Sequence, residues 1–278
     1  MTMPPDPFVP VLDRLISPRS RSAEFPIHAD PRLAEAELAD QDWGLTIDFP
    51  LDQGPEGACV GFGCSAELSA DPMQWPTGNG FAMKLYQNAR ARDRARGYNF
   101  AEGATVLGGL EAAKAMNLIQ GFRWAQRFED IALGLQVGPV VMGTDVTDGM
   151  YHTTADGEWV PVGTYVGGHC WTIIGFRLNH PLFGRAYWMV NSWGKKFGTN
   201  GKAWIREESL RKLWDRGGEA AIVTDTVLVP VTPPTPPAPI RPPAPKPKRP
   251  APWWWKQTRR VAGSALLRAS QLVSPPRP

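Results

Sequence analysis

Residues 187–201 read YWMVNSWGKKFGTNG, an apolar run with strand character that ends in Asn-Ser-Trp-Gly and trailing glycines. Upstream, GGHCWTIIGF at 167–176 places His169 at the head of a second apolar run. Further back, QGPEGACVGFG at 53–63 places Cys59 among small residues, after a Gly-Pro pair that reads as a turn. A cysteine, a histidine and an asparagine therefore follow one another, each in a context that suits nucleophilic catalysis. The thiol is the candidate nucleophile, the imidazole its base, and the amide of Asn191 the group that orients the base. Gln53 stands six positions before Cys59 and can donate a hydrogen bond to a developing oxyanion.

This order of Gln-Gly, Cys, Gly-His and Asn-Ser-Trp-Gly resembles the papain-like cysteine peptidases, over Trp43 to Ile205. The resemblance implies an α+β, two-lobed fold in which a helical half and a β-sheet half face each other across a cleft. Cys59 would lie on the helical wall, His169 and Asn191 on the other. It further implies that Trp193 shields the His169–Asn191 hydrogen bond and that Gly168, Gly143 and Met150 line the substrate pocket. Peptide hydrolysis through a thioester, with no cofactor and no metal, is the implied chemistry. The chain departs from the pattern in places. Glu56 stands where relatives carry a disulfide cysteine, and Val60 where a tryptophan usually follows the nucleophile. The 22-residue step from His169 to Asn191 is long, so NHPLFG at 179–184 is expected to be an extended hairpin loop. Family members also carry long inhibitory propeptides. The 52 residues before Gln53 are short for one, which leaves open whether this leader inhibits.

Composition sets the frame. The 278 residues are 42% hydrophobic, enough for one sizeable core with a tail. The formal charge of +3 conceals an asymmetry: residues 231–278 hold nine basic side chains and no acidic one, so the first 230 carry 21 − 27 = −6. Fourteen of the 29 prolines also fall in 231–278. The organisation expected is an extended leader or short pro-segment at 1–40, a peptidase domain at 41–229, a polyproline-type linker at 230–252, and a basic tail at 253–278. That tail contains Trp253, Trp254 and Trp255 followed by a short amphipathic helix candidate. It suits docking to a protein assembly or an anionic surface, or simple solvation; specific nucleic-acid recognition is not expected. Three cysteines are too few for a disulfide framework. No secretory signal and no transmembrane run is visible, and with an Arg- and Pro-rich composition this suggests a cytoplasmic or virion-associated protein of bacterial or phage type.

Along the chain, periodicity predicts helices beginning near Cys59 and spanning 81–96, 103–118 and part of 128–138. Phe62, Ala66 and Leu68 should face the core in the first. Val106, Leu110, Ala113 and Met116 should do so in the third. Strands are predicted at 139–146, 158–166, 169–178, 185–193 and 202–209. Cys64 and Cys170 read as packing residues and His28, His152 and His180 as solvated. The reading that results is a cysteine endopeptidase acting on a protein or peptide substrate. Its rivals are a transpeptidase or isopeptidase using the same intermediate, and a catalytically silent scaffold of the same fold that docks through its tail.

Overall fold

In a computed structural model of the chain, residues 12–17, 25–47 and 50–224 are described. The leader contributes a short strand, β1 (Arg14–Leu15), and two 3-10 turns at Ile27–Ala29 and Pro31–Leu33. After β2 (Gln41–Asp42) come the helices α1 (Cys59–Ser69) and α2 (Asn79–Ala95). β3 (Ala104–Thr105) runs straight into α3 (Val106–Ala115), where the Thr105 hydroxyl accepts the Gly108 N–H at 2.9 Å and caps the helix. There follow β4 (Gly121–Trp124), α4 (Glu129–Gly134), β5 (Val140–Thr147), β6 (Tyr165–His180), β7 (Gly184–Val190), β8 (Lys202–Arg206), α5 (Glu207–Asp215) and β9 (Glu219–Thr224).

Seven strands form one antiparallel sheet in the order β4-β9-β5-β6-β7-β8, with β2 also paired to β6. β1 and β3 form a separate parallel pair. Side chains of the sheet alternate between two cores. Val141, Cys170 and Ala221 pack with Cys59, Phe62, Leu85 and Leu110 from the first three helices. Met142, Trp171, Ile173 and Phe176 pack on the other side with Trp159, Leu210 and Leu213. Ile27 and Leu33 join this second core. The architecture is α+β, a helical half against a sheet-based half, as the resemblance implied.

α1 is buried along its whole length, Phe62, Ala66 and Leu68 included. Its glycines allow that. A Cβ on Gly63 would meet Cys170 Sγ at 2.7 Å and the Cys170 backbone at 3.1 Å, so the helix lies directly on β6. The Thr172 hydroxyl donates to Gly63 O at 2.8 Å and pins the same point. Cys64 and Cys170 are buried free thiols.

Several sequence expectations need correction. The predicted strand at 158–166 is mostly loop: Glu158 makes only an isolated bridge to Trp204, and regular pairing starts at Tyr165. Pro161 offers no N–H there and Gly163 sits at φ 95°. The predicted strand at 202–209 stops at Arg206. Residues 207–215 instead form α5, an amphipathic helix that buries Leu210, Leu213 and Trp214. β4 and β9 were not anticipated; each is a short run whose partner lies about a hundred residues away in sequence. The 179–184 hairpin is closed tightly, with His180 paired to Gly184. His180 is not simply solvated, since its ring stacks on Phe183 at 4.7 Å and on Trp204 at 4.5 Å. The proline-rich linker and the Trp253–Trp255 tail lie outside the described residues.

Glu67 is the costly residue of α1. It is fully buried, and burial, reinforced by the neighbouring Cys64, holds its carboxyl well above the usual carboxylate range. The folded state therefore binds a proton there that the unfolded chain releases near pH 4.5. Stability from this group is full below that pH and falls as pH rises. Glu67→Gln, which does not titrate, should raise the thermal midpoint at pH 8, with the gain shrinking toward zero at pH 4.5 in parallel melts.

Candidate active site

Cys59 is the first residue of α1, where unpaired backbone N–H groups and the helix dipole favour an anion. Its side chain is fully buried. The backbone N–H groups of Cys170 and Asp13 donate toward its sulfur. Cys170 is the residue after His169 on β6, so the thiol lies against the strand segment that carries the imidazole. The α1–β6 contact at Gly63 keeps it there.

The imidazole is held by an amide at the end of the next strand. His169 Nε2 lies 2.8 Å from Asn191 Oδ1, and the Ser192 backbone N–H donates to the same oxygen at 2.7 Å. The Ser192 donor identifies that amide atom as the oxygen. Nε2 must therefore carry the hydrogen, and the lone pair of a neutral ring falls on Nδ1. Among the described residues Nδ1 has no hydrogen-bond partner although it is buried. The Trp193 ring stacks on His169 at 4.8 Å, and Tyr151, Trp159 and Phe197 pack around Trp193. Trp193 therefore lies over the imidazole that bonds to Asn191.

Gln53 faces the same corner. Its Oε1 accepts the Ser192 hydroxyl at 2.7 Å, its Nε2 donates to Glu56 O at 2.9 Å, and its backbone N–H reaches Ser192 O at 2.9 Å. The turn before α1 is thus tied to the turn after β7, and the Gln53 amide has one orientation. The structure brings Gln53, His169, Asn191 and Trp193 together, with Cys59 on the adjoining helix. Gly143 and Gly168 face each other across β5 and β6, two residues apart in register. Met150 is fully buried in the sheet-side core, its carbonyl accepting Trp159 Nε1 at 2.5 Å. Among the described residues no group of three or more His, Cys, Asp and Glu gathers to hold a metal ion.

Residues 58–216 of this chain match the model of the papain family cysteine proteases. The chain belongs to that family. It is a cysteine protease, a hydrolase of peptide bonds. Among solved structures it is similar to xylellain, a cysteine protease from Xylella fastidiosa, at 18% identity and a TM-score of 0.52, covering 79% of this chain and 95% of that one. A structure from work on the mite allergens Blo t 1 and Der p 1 aligns at 13% identity and a TM-score of 0.50, over 74% and 76% of the two chains. A digestive procathepsin L 3 of Tenebrio molitor aligns at 14% identity and a TM-score of 0.48, over 69% and 71%. At these identities the likeness concerns the fold alone. No curated protein sequence matched.

The sequence reading missed the residues that fill the cleft of this protease. Asp13 bridges to Gly168 on the sheet wall, and Arg14 and Leu15 pair with Ala104 and Thr105 on the helical wall. The leader strand thus crosses between the two halves, with the Asp13 side chain against Gly57 and Leu12 against Gly167. Arg14 reaches Glu219 on β9. Nothing in the spacing of PVLDRLI or GEAAIVT signals either residue, because they are more than two hundred positions apart.

The seated strand leaves the reactive pair dry. Burial pushes the Cys59 thiol up to about 11 and the His169 imidazole down to about 4. Both are therefore neutral at pH 7. The positive charge of Arg14 opposes the first shift and adds to the second. A raised thiol pKa means thiolate appears only as pH climbs. Alkylation of Cys59 by iodoacetamide in the intact chain should accelerate about tenfold per pH unit between pH 7 and pH 10. A rate that levels off near pH 7, followed by mass spectrometry of the Cys59 peptide, would contradict it.

Proposed function

We propose that the chain is a cysteine endopeptidase working through a thioester, with Cys59 as nucleophile, His169 as acid and base, and Asn191 as the residue that orients the imidazole. The observation that carries this reading is the His169 ring itself: Nε2–H is committed to Asn191, and a buried Nδ1 is left for the proton of Cys59. In the reaction the Cys59 proton passes to Nδ1 and the sulfur bonds to the scissile carbonyl carbon. The oxygen becomes an oxyanion, met by the Gln53 side chain and the Cys59 backbone N–H, each such donor contributing about 3 kcal/mol to the transition state. The C–N bond breaks as Nδ1–H protonates the leaving amine. Nδ1 then takes a proton from water, whose oxygen attacks the thioester, and the carboxylic acid leaves as the thiol is restored.

The same reading makes residues 12–17 a latency device. While β1 occupies the cleft no peptide can enter, and the desolvated site disfavours the thiolate–imidazolium pair. Departure of the strand admits water or substrate and moves both pKa values back toward each other. Residues 13–15 alone touch both walls of the cleft.

The test is labelling with a thiol-directed epoxide at pH 7, mapped by mass spectrometry. Wild-type chain should label slowly at Cys59 and Arg14→Ala, which loosens the strand, about tenfold faster or more. His169→Ala should abolish the fast labelling and Cys59→Ala all hydrolysis of a casein substrate. Equal slow labelling of Cys59, Cys64 and Cys170 in every variant would leave a silent scaffold as the better description.

A further inference from the structure

Cys64 and Cys170 take no part in the reaction described above. Both are free thiols, buried in the core between the helices and the sheet. They are far apart in sequence, and the fold brings them together. Cys64 follows Gly63, the residue at which α1 rests on Cys170. Cys170 and Thr172 project from the same face of β6, and the Thr172 hydroxyl holds Gly63 O. A Cβ on Gly63 would meet Cys170 Sγ at 2.7 Å, and one on Gly109 of α3 would meet Cys64 Sγ at 2.8 Å. Each sulfur is thus seated against a glycine, and the two side chains meet where α1, α3 and β6 converge. There the Cys170 thiol donates a hydrogen bond to the Cys64 sulfur. Cys59 is engaged differently, by the backbone N–H of Cys170.

We propose that Cys64 and Cys170 are an oxidisable pair, which a peroxide converts to a disulfide joining α1 to β6 and which a dithiol reductant restores. The order of attack follows from the hydrogen bond. Burial first, and then the bond to Cys64, hold the Cys170 thiol well above its usual range. Cys170 therefore keeps its proton, and Cys64 is the sulfur that attacks. The Cys64 sulfur bonds to one peroxide oxygen as the O–O bond breaks, and the Cys64 proton leaves with the other oxygen as water. The Cys170 sulfur then attacks the sulfenic acid so formed. The S–S bond forms, the S–O bond breaks, and the Cys170 proton leaves with that oxygen as a second water. Two thiols lose two electrons in all, and the peroxide gains them. A dithiol reverses the step by exchange, its own two sulfurs becoming the disulfide. The movement required is small, from hydrogen-bonding distance to an S–S bond of about 2 Å. The cross-link closes a loop of about a hundred residues between the helical half and the sheet half, so it stabilises the fold by restricting the unfolded chain.

The experiment treats the full chain with hydrogen peroxide or with dithiothreitol, blocks the remaining thiols, and digests without reduction. Mass spectrometry should find the Cys64 and Cys170 peptides joined, lighter by two hydrogens, in the peroxide-treated chain alone, and later dithiothreitol should separate them. The thermal midpoint of the oxidised chain should lie about 10 °C above that of the reduced chain. That difference should vanish in Cys64→Ala and in Cys170→Ala, each compared with itself in the two states, so that a change in basal stability does not enter. It should persist in Cys59→Ala, which makes the result independent of peptide hydrolysis. The peptide map needs no substitution and decides the matter even where a variant fails to fold. Peroxide that leaves both thiols unjoined, or that links Cys59 to either of them instead, overturns the proposal. A Cys64–Cys170 disulfide that leaves the midpoint unmoved overturns its stabilising role.

Discussion

The contact between α1 and β6 is the constraint on which the site depends. Gly63 has no side chain, so the helix backbone rests on Cys170, and Thr172 closes the junction with a hydrogen bond to Gly63 O. Cys59 lies one helical turn before that point and His169 one residue before Cys170. The nucleophile and its base are thus separated by a rigid, fully packed junction rather than by loops. Rigid elements hold reacting groups to a fraction of an ångström better than loops do. The second clamp, Gln53 to Ser192, ties the turn before α1 to the turn that carries Asn191. Between them, the two clamps join the halves on either side of the cleft through residues that are themselves part of the site.

Much of this was legible in the sequence, and the reason is local. Cys59, His169 and Asn191 each sit at a boundary that short-range signals mark: a glycine-rich helix start, the head of a β run, the end of another. Gln53 and Trp193 were marked by the resemblance to the papain-like pattern, which places a glutamine before the cysteine and a tryptophan after the Asn-Ser pair. The alternation that assigns Cys170 to the helical core and Trp171 to the other core is likewise a period of two, visible in GGHCWTIIGF.

What stayed illegible is what depends on pairing over long separations. β4 and β9 are short and make sense only against each other and against β5. The loop at 158–164 holds enough valine to read as a strand, yet Pro161 and Gly163 deny it a ladder. α5 begins with two glutamates that extend the strand pattern by eye, while its apolar stripe, Leu210, Leu213 and Trp214, has helical spacing. Arg14 and Glu219 carry no motif at all. A charge pair that forms across 205 residues is a property of the fold and not of either segment alone.

The Arg14–Glu219 ion pair ties the leader strand to the sheet through a fully buried contact. A buried pair contributes little net stability, because desolvation of both charges offsets most of their attraction. Removing one partner is what costs, since the other is then left buried and uncompensated. β1 also pairs with Ala104 and Thr105, and Asp13 bridges to Gly168, so backbone contacts on both walls hold the strand as well. Removing Arg14 from its place would leave the Glu219 carboxylate buried without that cation, so the ion pair adds to what keeps the strand seated.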